Sequence, residues 1–324
     1  MPALFLLAIL LMIRALTLGT PDPTYPERNA INGLGFLWNP NFSELKHAST
    51  WLAAAGQIFF TLSLGLGTIQ CYASYLREKD DIVLSGLAVT SLNETAEVIF
   101  GGSIAIPAAV AFFGVQAISK GGAFDLAFLS TPLVLTRLPL GQMWGFLWFF
   151  LLFFAGLTSS VSIIQPFVSF LIDELNILWR RAVILTAIAV FIPIHLVIFF
   201  LKYGFLDELD FWIGTVSLPL LGTIEVVLFS WVYGINKGFE EMHKGAWLTV
   251  PNIYRFVLKY ITPLCLITLF FVWIWQDGVR IFFLEGVPAE IKPYRWLARG
   301  LILATFLLCS WLVHLAWKEK KNET

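Results

Sequence analysis

The sequence predicts an all-α polytopic membrane protein of about eight spanning helices, one of them discontinuous. Three observations carry this expectation. Only 13% of the 324 residues are charged while 58% are hydrophobic, against about 25% charged in a soluble domain, and mean hydropathy is +0.79. Eight apolar stretches approach or exceed the roughly 20 residues a bilayer crossing needs: 2–19, 50–76, 88–117, 142–172, 179–201, 210–233, 253–275 and 294–317. One stretch contains FFTLSLGLG at 59–67, which a regular spanning helix has no reason to hold.

Residues 2–19 lack a basic lead, are interrupted by Arg14 and show no small-residue cleavage pattern before Pro21, so they read as a spanning helix rather than a secretory signal. A chain that starts directly inside a helix carries the expectation that something upstream is absent. Residues 20–49, rich in Pro, Asn and Gly, read as an outer loop, and 77–87 as a charged inner loop with a short interfacial helix. The stretch 118–140 is too broken by Gly121, Gly122, Pro132 and Pro139 to span and too oily to float free, so it is expected to fold back onto the outer mouth. Residues 234–252 read as a second long inner loop and 276–293 as the last outer one.

Short connections on one side carry eleven basic residues, Arg77, Arg180 and Lys318 among them, against eight on the other. The richer side is expected to be cytoplasmic, and eight spans put both termini there. A net charge of -1 argues against a nucleic-acid partner. Cys71, Cys265 and Cys309 fall in separate apolar stretches and the four histidines are scattered, so no metal, disulfide or nucleophile constellation is legible.

Candidate site residues concentrate in three places. In 59–67, Thr61, Ser63, Gly65 and Gly67 fall within seven positions. Glycine costs about 1 kcal/mol in a helix interior, and broken helices of transporters use freed carbonyls and half-helix ends to hold ions and ionised substrates. Small residues equally permit close helix packing, and spacing alone leaves both readings open. In FFAGLTSS at 153–160, Ala155, Thr158 and Ser159 share one helical face, an uncharged hard-oxygen set suited to a monovalent cation such as sodium, with packing again the alternative. In SLNETAEV at 91–98, Asn93 and Glu97 share a face, and an ionisable residue adjoining a spanning run is a functional candidate. Glu94 and Asn93 read equally well as interfacial and solvated.

Four segments together, GQIFFTLSLGLGTIQCYASYLREKDDIVLSG, LNETAEVIFGGSIAIPAAVAFFGV, GFLWFFLLFFAGLTSS and DELDFW, closely resemble the neurotransmitter:sodium symporter family in its bacterial leucine-transporter-like branch, collinearly over almost the whole chain. The resemblance implies a partial leucine-transporter-type inverted-repeat fold in a single transmembrane domain, 1–324. Residues 1–19 resemble helix 5, 50–76 the broken helix 6, 88–117 helix 7, 142–172 helix 8, 179–233 helices 9 and 10, and 253–317 helices 11 and 12; helices 1 to 4 have no counterpart. It further implies an amino-acid pocket lined by Phe60, Thr61, Ser63, Leu66, Ser159 and Ile163. Sodium ligands are implied at Thr61 and Asn93 for one site and at Ala155, Thr158 and Ser159 for the other, each incomplete without the first helix. Glu97, with Gln57 close by, stands where this branch carries a carboxylate in place of chloride, which implies chloride-independent transport. Asp210 and Phe124 resemble outer-gate and outer-plug residues, Tyr75 and Asp173 the inner gate. Leu66 departs from the aromatic lid residue of close relatives, which implies a wider or altered pocket.

The expected function is sodium-coupled uptake of a small apolar amino acid by alternating access, through an N-terminally truncated copy in a bacterial-type inner membrane. The alternative is a half-transporter or structural subunit that needs a second chain. Expected partners are the amino acid, the bilayer, and a second copy or N-terminal helices supplied in trans. No Ser/His pair, paired aspartates or metal-ligand spacing supports an intramembrane enzyme.

Overall fold

The computed structural model describes residues 2–118, 127–128 and 131–323, and among these every regular element is helical. Phe124 and the rest of 119–126, with 129–130, in the expected re-entrant stretch lie outside the described residues. Helices α1 (Pro2–Leu16), α2 (Ala30–Trp38), α3 (Ala48–Thr61), α4 (Thr68–Ala73), α5 (Ile82–Glu94), α6 (Gly102–Phe113), α7 (Val115–Ile118) and α8 (Thr131–Thr136) are followed by α9 (Gly141–Asp173) and α10 (Trp179–Phe200). The remainder are α11 (Phe205–Asp210), α12 (Leu218–Val227), α13 (Ile235–His243), α14 (Ile253–Phe256), α15 (Thr262–Trp273), α16 (Val279–Phe282) and α17 (Lys292–Glu323). Among the described residues, six continuous helical runs are long and apolar enough to cross a membrane: Ile82–Phe113, Gly141–Asp173, Trp179–Tyr203, Phe205–His243, Ile253–Phe282 and Lys292–Lys318. The shorter α1 and the interrupted pair α3 and α4 account for the other two apolar stretches.

The connections differ from their sequence reading. The outer loop 20–49 contains α2 and a 3-10 turn at Phe42–Lys46. Asn29 starts α2 by accepting the Asn32 N–H on its side chain at 2.8 Å. The stretch 234–252 is helical as far as His243: Ile235, Gly238 and Phe239 are buried on one face, with Gly238 leaving room for the Phe229 ring. Its polar residues decorate the other face, so a hydropathy reading ends the span too early.

Five of the long runs' turns widen to i+5 bonding, at Thr95–Gly101, Phe211–Ser217, Leu228–Gly234, Val257–Ile261 and Ile274–Gly278. Two of these precede Pro219 and Pro263. A proline ring lacks the N–H and crowds the carbonyl four residues back, so the turn before it loosens.

The chain divides into two compact units, Met1–Phe42 with Gly86–Val161, and Ser43–Ser85 with Ser162–Thr324. In the first, Leu7 and Leu11 of α1 pack with Ile104, Leu135 and Trp148. There α2 lies so close to α6 that a Cβ on Gly33 would sit 2.4 Å from Pro107 Cα. In the second, Ala48 and Leu52 of α3 pack with Val216 and Trp273, and the Gln276 side chain accepts the Ala48 N–H at 2.8 Å, satisfying one of the open donors of α3. A Cβ on Gly56 would sit 2.7 Å from Thr215 Cα, so α3 meets the Phe211–Ser217 turn backbone to backbone.

The second unit also ties its charged loop to a distant one. Asp81 accepts the Leu84 N–H and the Trp247 N–H, each at 2.8 Å, and Gly245 lies against the carbonyls of Lys79 and Asp80. The Leu84 bond, then the Trp247 bond, hold the Asp81 carboxyl pKa below the ordinary carboxylate range.

Replacing Gly56 with Ala sets a Cβ against fixed backbone and is expected to cost about 1–3 kcal/mol. Gly86→Ala, in α5 with no atom within 4 Å of its Cβ, is expected to be neutral or to gain about 0.5–1 kcal/mol. Thermal unfolding in detergent separates the two, and equal shifts would refute the packing argument. For Asp81 the folded pKa is depressed, so its two bonds persist above the unfolded carboxylate pKa and fail as pH falls through the lower folded value. Intrinsic-rate-corrected hydrogen exchange should show Leu84 and Trp247 protected from neutral pH down through the ordinary carboxylate value of about 4 and losing protection only at lower pH, with Asp81→Asn unprotected throughout.

Candidate functional site

The site is built on the interruption between α3 and α4. At the end of α3 Phe60 O accepts the Ser63 N–H at 3.0 Å and Phe59 O the Leu64 N–H at 2.8 Å, and the ladder of α4 opens where Gly67 O accepts the Cys71 N–H at 3.0 Å. Between them the chain turns through positive φ at Ser63 (57°), Gly65 (74°) and Gly67 (74°). Glycine reaches this region freely, but Ser63 bears strain of about 1–2 kcal/mol. Gly65 answers to packing as well, since a Cβ there would lie 3.0 Å from the Leu218 carbonyl. Both readings of the small residues therefore hold, the break and the close approach.

Each half-helix has its own anchors in the second unit. Gln70 donates to Glu225 at 2.6 Å and Tyr72 OH to Ser162 at 3.0 Å, while Cys71 Sγ lies 3.6 Å from Ser169 Oγ. Thr68 opens α4, is 3% exposed, and its Oγ1 has no hydrogen-bond partner among the described residues. Sequence reasoning missed these groups, since their partners lie 90 residues or more away. Of the predicted pocket residues, Phe60 ends α3 half-exposed, Thr61, Ser63 and Leu66 lie in or at the turn, and Ile163 is exposed on α9. Gln57, Tyr75, Asp173 and Asp210 are all exposed on the same unit.

In the first unit, Ala155, Thr158 and Ser159 lie exposed on the unbroken helix α9. Thr158 Oγ1 donates to Phe154 O at 2.9 Å and Ala155 O at 3.1 Å. With its proton committed to its own helix, that hydroxyl presents lone pairs outward, as a hard cation requires. Among the described residues no group of three or more His, Cys, Asp or Glu could hold a metal. Asn93 sits in the last turn of α5 and Glu97 in the wide turn that follows, whose carbonyl accepts the Gly102 N–H; both are half-buried.

Asp210 ends α11 with Gly214 leaving room for its carboxylate. Two residues before it, Glu208 is 3% exposed and holds three donors: Arg299 Nε at 2.6 Å, Trp212 Nε1 at 2.7 Å and Arg295 at 3.4 Å. Arg299 also donates to the carbonyls of Ile281 and Phe282 and stacks against Trp212, Phe282 and Trp296. A carboxylate at this depth persists only when paired and bonded, so α11 is pinned to α17 next to the predicted gate residue.

A profile described as the sodium:neurotransmitter symporter family matches residues 1–298. An uncharacterized sodium-dependent transporter of Methanocaldococcus jannaschii is 31% identical over 281 residues, 84% of this chain and 54% of the relative. Another from Bacillus subtilis is 33% identical over 291 residues, 83% and 59% respectively. The crystal structure of MhsT in complex with L-phenylalanine superposes with a TM-score of 0.70 at 29% identity, covering 84% of this chain and 61% of that one. The chain spans about half the length of the curated relatives it matches.

Removing Arg299 leaves Glu208 short of its closest partner, and Arg299→Ala is expected to cost about 3–5 kcal/mol. Arg295→Ala removes a longer contact from a side chain 30% exposed and is expected to cost about 1 kcal/mol or less. Thermal unfolding of the two variants checks the order, and a larger loss for Arg295→Ala would refute it.

Proposed function

The chain belongs to the sodium:neurotransmitter symporter family, and from that premise we propose that it contributes to sodium-coupled symport of a small apolar amino acid by alternating access. The observation that carries the reading is the interrupted helix, whose turn at Leu62–Gly67 gathers polar backbone inside an apolar run. In a bilayer such backbone is tolerated only against protein or a wet cavity, and half-helix ends favour ions and zwitterions. Phe60, Thr61, Ser63, Leu66, Ser159 and Ile163 serve the substrate. Thr61, Asn93, Ala155, Thr158 and Ser159 serve as sodium ligands, and Asp210, Tyr75 and Asp173 act in gating. The L-phenylalanine of the MhsT complex supports an apolar amino acid as the cargo. Glu97, with Gln57, supplies a fixed negative charge that makes chloride dispensable.

Uptake of tritiated leucine into proteoliposomes under an inward sodium gradient tests this, with the chain alone and with a co-reconstituted polypeptide carrying the first four helices of a family member. Uptake in either arm that collapses when choline replaces sodium, survives replacement of chloride by gluconate, and falls about tenfold or more in Thr158→Ala supports the reading. Activity confined to the second arm identifies a subunit that works with another polypeptide. Sodium-independent uptake, or none in both arms, overturns the proposal.

A further inference from the structure

Away from the interrupted helix, the first unit holds a cavity of about 530 Å³ whose lining includes Arg14, Arg28, Arg137, Asp22, Leu18 and Phe112. The three arginines come from separate places in the chain: the last turn of α1, the loop before α2 and the turn after α8. Among the described residues none of the three forms an ion pair. Like charges converging on one cavity repel unless something negative sits among them. Asp22 does not fill that role alone. It is one charge against three, and Oδ1 already accepts the Thr24 N–H at 2.9 Å and the Thr24 hydroxyl. Those two bonds are the main cause that holds its carboxyl pKa below the ordinary carboxylate range, with Arg28 contributing least.

The cationic wall is oriented. Arg28 lies over the Tyr25 ring with Cζ 4.0 Å from the centroid, and Arg137 over Phe112 at 5.9 Å, contacts that fix the guanidinium planes. Gly114, at φ +78°, leaves the space that a Cβ would take from Arg28 Nε at 3.3 Å. Below the arginines is an apolar floor, where Ala15, Ala108 and Val134 pack with Leu18, Phe112 and Leu138. The cavity thus lies where the apolar helix α1 gives way to the Pro21–Pro26 loop, the level at which lipid phosphates sit and arginines reach for them.

We propose that this cavity binds a phosphate-type oxyanion, as the phosphodiester of a lipid headgroup or as free inorganic phosphate. Guanidinium forks match phosphate oxygens bidentately, three forks suit a tetrahedral group better than a lone halide, and the volume admits a headgroup. The assignment does not depend on the transport reading.

Two measurements on the full chain in detergent test it. Native mass spectrometry reads retention of added phosphatidylglycerol, and equilibrium dialysis with radiolabelled phosphate reads the free anion. Phosphatidylglycerol retained and not displaced by inorganic phosphate identifies the lipid source; phosphate bound without lipid identifies the free anion. Either ligand should weaken about tenfold or more in Arg14→Gln and in Arg137→Gln. Arg137 is exposed in a turn, so its variant keeps the test decisive if the half-buried Arg14 variant fails to fold. Neither ligand binding, or binding unchanged in Arg137→Gln, overturns the proposal.

Discussion

A peptide group in hydrocarbon must find its hydrogen bond inside the protein, and the packing of the second unit around α3 and α4 answers to a place where a helix stops doing so by itself. Between Phe60 and Gly67 the ladder lapses for a full turn. Two glycines and a strained serine hold the backbone in the left-handed region, and Gly65 presses that turn onto the Leu218 carbonyl in the first turn of α12. The interruption is therefore specified twice, by local conformation and by a neighbour that leaves no room for a side chain. Either alone would leave a helix free to re-form or to drift.

Electrostatics in the second unit follows the same economy of position. Glu208 is buried deeply enough that an unpaired charge would destabilise the fold, and it is matched by a guanidinium that also satisfies two backbone carbonyls at the end of α16. Those carbonyls are the open acceptors that every helix end leaves. One arginine thus closes a helix terminus, neutralises a buried acid and fills space among three aromatic rings. The exposed Asp210 beside this cluster has a fixed base to work from.

What was legible in the sequence follows from how local the cause is. The break could be read from Thr61, Ser63, Gly65 and Gly67, since φ preference belongs to each residue by itself. The hydroxyl face of Thr158 and Ser159 could be read because helical period alone sets it. Glu208 could not: its partners lie 87 and 91 residues on, and the acids crowded around it in LDELD hide which one is buried. The wide turns were illegible too. Adding one residue to a turn of an apolar run leaves its composition unchanged, and only the proline after two of them hints at it. The helix 235–243 was missed because its polar face outweighs a buried face of Ile235, Gly238 and Phe239 in any hydropathy window.

The two halves of the interrupted helix have different company, and that difference gives the break a mechanical meaning. α3 is fixed at its start by Gln276 and along its length by Gly56 against Thr215. α4 is fixed by Glu225, Ser162 and Ser169. A continuous helix would transmit any shift of one set rigidly to the other. With the ladder lapsed, the turn becomes the place where a ligand contacting both half-helix ends sets their relative pose, and its differential affinity for two such poses is all that coupling requires. Thr68, buried with an unused hydroxyl at the first position beyond the turn, would register such a ligand sooner than the well-bonded Tyr72 one turn later.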